Sequence, residues 1–103
     1  SMLGIGEDAH VASLFPGRDE QFAAATCVSV RNSPKPPPTR TTFNMATIQS
    51  SREVWLIASG AGKADAIKLA TSGLPAKEAP AGAARGLQRS LVLCDQDAAA
   101  EIS

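Results

Sequence analysis

Residues 54–67 read VWLIASGAGKADAI, an apolar run, a glycine turn and an alanine-rich segment in succession. Val54 to Ala58 is apolar without alternation, the pattern of a strand buried on both faces in a parallel sheet. Ser59-Gly60-Ala61-Gly62 turns the chain. Lys63 to Thr71 then reads as a helix, with Ala64, Ile67, Leu69 and Ala70 available for packing. A strand that leads through a tight turn into a helix is the repeating unit of α/β folds.

The flanking segments extend that alternation. Met2 to Gly6 is a short apolar run closed by glycine and reads as the tail of a buried strand. Glu7 and Asp8 stand where acids favour a helix start, and His10, Val11, Leu14 and Phe15 follow at helical spacing until Pro16-Gly17 stops them. Ala24 to Val30 is a strand around Cys27. The prolines of SPKPPPTRTT, residues 33–42, make a stiff extended loop. Thr41 to Phe43 follows as a short strand, and Asn44 caps a helix reaching about Ser50. Residues 73–86 form an Ala/Pro/Gly-rich loop with one helical turn. Leu91 to Cys94 is a last strand, and Asp97 to Ile102 a short helix capped by Asp95 and Asp97. Trp55 and Phe43 read as core. The fold class is therefore α/β, a partial Rossmann-like parallel sheet flanked by helices.

Bulk properties bound the rest. The 103 residues make one domain, and alanine supplies much of a 44% hydrophobic content with only 4% aromatics, so the core is thin. Ten basic and ten acidic residues cancel, which gives no electrostatic argument for nucleic acid. Cys27 and Cys94 lack metal-ligand spacing and are expected as buried free thiols. No apolar run approaches the roughly 20 residues of a membrane span, and no signal peptide is visible, so a cytoplasmic protein is expected. Ser1 ahead of Met2 reads as a cloning remnant.

Three stretches carry chemistry. His10 follows a strand's carboxyl end, where open α/β sheets bind ligands, and its side-chain type can accept and return a proton near neutrality. At a helix start, the dipole would keep the ring uncharged, and Asp8 can orient one ring nitrogen across the turn. GIGEDA falls short of a dinucleotide fingerprint because Ala9 stands at its third glycine, and SGAGKA falls short of a P-loop at Ile57 and Ala64. What survives in the latter is Lys63 behind a glycine turn, an anion site. Lys35 and Arg40 sit on the proline scaffold, where Arg40 suits a bidentate grip on phosphate.

LGIGEDAHVASLFPG, SPKPPPTRTT, EVWLIASGAGKADAI and, more weakly, PAGAARGLQRSLVLCDQDAAAEI resemble, in order, the second half of the glucosamine-6-phosphate isomerase/6-phosphogluconolactonase family. The deaminase branch continues after its histidine with Asn-Glu-Pro. This chain has Ala12-Ser13-Leu14-Phe15-Pro16, which resembles the lactonases. The resemblance implies hydrolysis of 6-phospho-D-glucono-1,5-lactone to 6-phosphogluconate with no metal or organic cofactor. It implies His10 as the proton carrier, Asp8 as its orienting acid, Gly4 and Gly6 as backbone donors to an oxyanion, and Arg40 and Lys63 as holders of the phosphate.

The chain departs from the family at Ala9, where glycine is usual, a harmless change if that residue is helical. It also lacks the family's first half, with its glycine/serine-rich phosphate loop and Asp-Glu-Arg motif. The resulting expectation is an incomplete enzyme, weakly active or inactive alone, whose bare faces pair in a swapped or intertwined homodimer. The alternatives are a non-catalytic oligomerising fragment that keeps an anion pocket, and an isomerase or deaminase on the same scaffold.

Overall fold

The computed structural model describes residues 1–102. Its centre is a three-stranded parallel sheet in the order β1 (Met2–Gly4), β4 (Glu53–Ala58), β5 (Arg89–Cys94). Parallel neighbours need long crossovers. The first of these carries β2 (Cys27–Val30) and β3 (Arg40–Phe43), an antiparallel pair outside the main sheet, and then α1 (Met45–Gln49). The second carries α2 (Ala64–Ala70) and α3 (Pro80–Ala83). The α/β class and the parallel sheet flanked by helices match the sequence reading.

Local chemistry accounts for the elements. Asn44 accepts from the Thr47 backbone N–H at 2.9 Å and so caps α1. Its amide also donates to the Ala23 carbonyl at 2.8 Å, which ties the helix start to the approach to β2. Val54, Leu56 and Ala58 alternate into one core with Ile5, Ala9, Val11, Leu14, Ile48, Ala66 and Ile67. The opposite face of β4 is not covered. In register it carries Met2, Trp55 and Leu91 in one row and Gly4, Ile57 and Leu93 in the next, with Met2 70% and Ile57 45% exposed. The continuous apolar run of β4 is thus buried on one face among the described residues, and β1 is largely exposed.

Four expectations are corrected. No helix follows Gly6: residues 7–17 are turns and an isolated Val11–Leu14 bridge, because Ala9 (φ 72°) and Ala12 (φ 48°) adopt left-handed backbone that no helix contains. Residues 97–102 form turns: the Asp95 carboxylate takes the Ala98 N–H at 2.8 Å, as a cap would, but the Ala100 and Ile102 N–H groups reach back only three residues, to the carbonyls of Asp97 and Ala99. Phe43 is 54% exposed on the two-stranded ladder, and Trp55 is half-buried. The cysteines are free as expected, but Cys27 is exposed and Cys94 half-buried.

Candidate functional site

β1 ends at Gly4, and the next six residues fold back so that the Gly6 N–H reaches the His10 carbonyl at 2.9 Å. The reversal needs a left-handed residue, which Ala9 supplies, and its N–H closes on the Gly6 carbonyl at 2.9 Å. The imidazole of His10 is held at several points. Its Nδ1 lies 2.6 Å from Asp8 Oδ1, its ring centroid lies 4.6 Å from that of buried Phe15, and it packs against Gly6, where any Cβ would collide with the ring. The same Asp8 oxygen accepts the His10 backbone N–H at 3.1 Å.

Burial is the largest single influence on the Asp8 carboxyl and pushes it up. The bonds from the His10 ring and backbone, with the ring's charge, together outweigh it and hold Asp8 below its ordinary 3.8. A carboxylate ionised at neutral pH can only accept. The proton of the 2.6 Å contact therefore sits on Nδ1, and Nε2 is the ring nitrogen that this contact leaves free. The helix whose dipole was expected to act on the ring is absent, and the Asp8 carboxylate is the group that contacts it.

The ring faces an open groove of about 630 Å³ along β1, lined among others by Gly4, Ile5, Gly6, Glu7, Lys35 and Lys63. Lys63 arrives from the other strand end: after β4, Gly60 (φ 91°) turns the chain into one 3₁₀ turn, Ala61–Lys63, and α2. Its ammonium donates to the Ile5 carbonyl at 2.7 Å, which leaves two N–H groups for an anion. Among the described residues, no three His, Cys, Asp or Glu side chains are placed to hold a metal ion.

The structure brings His10, Asp8, Gly4, Gly6 and Lys63 together and leaves Arg40 outside. Arg40 does not line the groove: its Nε donates to the Pro37 carbonyl at 3.1 Å, and its Nη2 to those of Lys35 and Pro36 at 3.1 and 2.7 Å. Lys35 stands in the groove instead. The role expected of Gly6 also changes. Its N–H is taken by the His10 carbonyl, so what it contributes is room for the ring and not a donor to an oxyanion. Gly4 lines the groove, and a Cβ there would meet nothing. Sequence reasoning missed Phe15 as the floor under the imidazole and Glu7 as a groove wall.

Residues 1–93 match the family described as glucosamine-6-phosphate isomerases/6-phosphogluconolactonase. The chain belongs to this family. It is 47% identical over 102 residues to the 6-phosphogluconolactonase of Mycobacterium leprae, covering 98% of this chain and 41% of that protein. The 6-phosphogluconolactonase of Streptomyces coelicolor is 45% identical, with 98% of this chain and 39% of the relative covered. The solved structure of 6-phosphogluconolactonase from Trypanosoma brucei superposes with a TM-score of 0.82 at 29% identity, over 99% of this chain and 41% of its own. The chain spans about two-fifths of the length of the curated relatives it matches. No helix among the described residues is long and apolar enough to cross a membrane.

Proposed function

We propose that this chain carries the histidine-bearing part of a 6-phosphogluconolactonase site, for the hydrolysis of 6-phospho-D-glucono-1,5-lactone to 6-phosphogluconate. The observation that carries the reading is the Asp8–His10 pair at 2.6 Å, facing a groove that also receives Lys63 and Lys35. Nε2 of His10 takes a proton from water as the water oxygen bonds to the lactone carbonyl carbon. The oxyanion then collapses, the bond from that carbon to the ring oxygen breaks, and Nε2–H protonates the leaving oxygen. Asp8 holds the tautomer and stabilises the imidazolium that forms between the two transfers. Gly4 remains the candidate backbone donor to the oxyanion, a contribution of about 100-fold or more in comparable sites. Lys63 and Lys35 hold the 6-phosphate, with Lys35 in the place expected for Arg40. The route needs no cofactor.

His10 is the only histidine, so its imidazole signals in an NMR spectrum are unambiguous. Titration with 6-phosphogluconate is expected to shift them, and His10→Ala to remove all lactone turnover. Unmoved imidazole signals at saturating product would overturn the reading. A second reading, an anion-binding fragment without chemistry, is favoured by the open groove and by the two-fifths span of the relatives. Product binding with no lactone turnover selects it. Turnover of the chain alone is expected to be far below that of a full-length relative.

The same reading extends to assembly. The uncovered sheet face of Met2, Trp55, Ile57 and Leu93 ends in an Arg89–Glu53 pair at 4.0 Å. One charge of each sign at the rim lets a two-fold copy present the complementary pair, so a homodimer through this face is proposed. Light scattering that gives a monomer at micromolar concentration would sink it.

A further inference from the structure

We infer that Arg40 is a positioning residue that sets the groove from outside it, aiming Lys35 through the proline loop and steadying His10 through Phe15. The inference rests on the groove being the reaction site proposed above.

The loop itself creates the need. Pro34, Pro36, Pro37 and Pro38 have no N–H, so the carbonyls of this stretch have few donors within it. Ser33 closes the loop from inside, its N–H donating to the Pro38 carbonyl at 2.8 Å and its Oγ accepting the Lys35 N–H at 3.2 Å. Arg40 supplies the rest, bonding three successive carbonyls, those of Lys35, Pro36 and Pro37. A planar fork of five donors can do this, whereas an ammonium is a point charge. Lys35, between Pro34 and Pro36, is thereby held where it lines the groove.

The second contact runs the other way. The Arg40 guanidinium carbon lies 5.4 Å from the centroid of the Phe15 ring, within cation–π range, and Phe15 is 2% exposed. The same ring lies 4.6 Å from the His10 ring at 37°. Asp8 fixes one atom of the imidazole, which still allows the plane to rock about that bond. Phe15 limits the rocking, and Arg40 limits Phe15. One side chain thus registers the proton carrier against the cation that faces it.

Inorganic phosphate and the His10 signals test this without turnover. Arg40→Gln and Arg40→Lys are both expected to move the imidazole resonances, as the Phe15 ring current changes, and to weaken phosphate binding about three- to tenfold. Lys35→Ala is expected to weaken it to a similar degree. The double variant Lys35→Ala/Arg40→Gln is expected to bind within about twofold of Lys35→Ala alone, since both act through one contact. Unmoved imidazole signals, additive losses in the double variant, or wild-type affinity in Arg40→Lys would each overturn the inference, the last two by making Arg40 a direct phosphate ligand. If the wild-type chain binds no phosphate, the anion reading of the groove fails, and the imidazole signals alone decide the positioning role.

Discussion

Two neighbouring parallel strands, β1 and β4, each end in a turn that delivers one side chain to the same groove, His10 from the first and Lys63 from the second. The Lys63 turn is made by the backbone. Gly60 takes the left-handed conformation, one 3₁₀ turn follows, and α2 continues it. The His10 turn is held by side chains and sterics: Asp8 on Nδ1, Phe15 beside the ring, the missing Cβ of Gly6, and an alanine at positive φ. On the proposed function, the cation would meet a mobile phosphate and could tolerate slack at its root, whereas the imidazole would pass a proton between two oxygens and could not, because small misplacements of a reacting group are costly.

The sharpest test of that difference is one added methyl in each turn. In Gly6→Ala the Cβ falls within the His10 ring, so the imidazole must leave Asp8 and Phe15. The expected outcome is complete loss of the product-induced imidazole shift, with about 1–3 kcal/mol lower stability in urea unfolding. In Gly62→Ala the Cβ would meet only Glu7 Oε1 at 3.3 Å, the far end of a flexible side chain. A change within ~0.5 kcal/mol is expected there. Equal losses at the two sites would erase the distinction.

Next in size is the backbone of the second turn. Gly60 sits at φ 91°, ψ 155°, a region open essentially to glycine alone. Gly60→Ala is expected to cost about 1–3 kcal/mol in thermal or urea unfolding, and to displace Lys63 while His10 keeps its signals. Perturbed His10 signals in this variant would show that the two turns are coupled.

The two turns also differ in what acid does to them. Asp95 accepts the Ala98 N–H and, with both oxygens, the Gly60 N–H, and these bonds hold its carboxyl below 3.8. Asp8 lies below the same value despite its burial. A group with a lowered folded pKa contributes stability that is full above its unfolded pKa and is lost as pH falls through the folded one. Both turns are therefore expected to hold down to about pH 4 and to loosen below it. The reporters separate them: Asp8→Asn removes the acid-limb change at the His10 ring, and Asp95→Asn removes it at the Gly60 amide. Exchange of those effects between the two variants would refute the assignment.

The same contrast explains what the sequence made legible. The apolar run of β4, the Asn44 cap and the glycine turn before Lys63 are local signals, and each element formed where its residues placed it. The His10 segment misleads because Val11, Leu14 and Phe15 are buried at helical spacing without a helix, and because alanine, the best helix former, occupies both left-handed positions. The capture of Arg40 was harder to see, since every residue has a carbonyl. Four prolines in one short stretch, a local shortage of donors, were the available sign. The uncovered face of β4 was invisible for another reason: an apolar run specifies what can be buried, not what covers it.

The smallest expected effect belongs to Ala9, and its smallness is informative. At φ 72° an alanine carries roughly 1–2 kcal/mol of left-handed strain that Ala9→Gly would relieve. Against this, the Ala9 methyl is fully buried in the core, and losing it costs about 0.8 kcal/mol. Glycine also gains freedom in the unfolded chain, a further 0.4–1 kcal/mol or so against folding. The opposing effects nearly cancel, so Ala9→Gly is expected to change stability by less than ~0.5 kcal/mol, with the imidazole signals in place. The hydrogen bonds through Ala9, from its N–H to the Gly6 carbonyl and from the Ala81 N–H to its own carbonyl, survive the change. A stabilisation well above 1 kcal/mol would mean that the strain dominates and that the His10 turn is held against its backbone preference by the core behind it. A comparable loss would mean that the methyl is part of what holds the turn. Either result would place this turn apart from the Lys63 turn, where a glycine already occupies the left-handed position and no such balance is required.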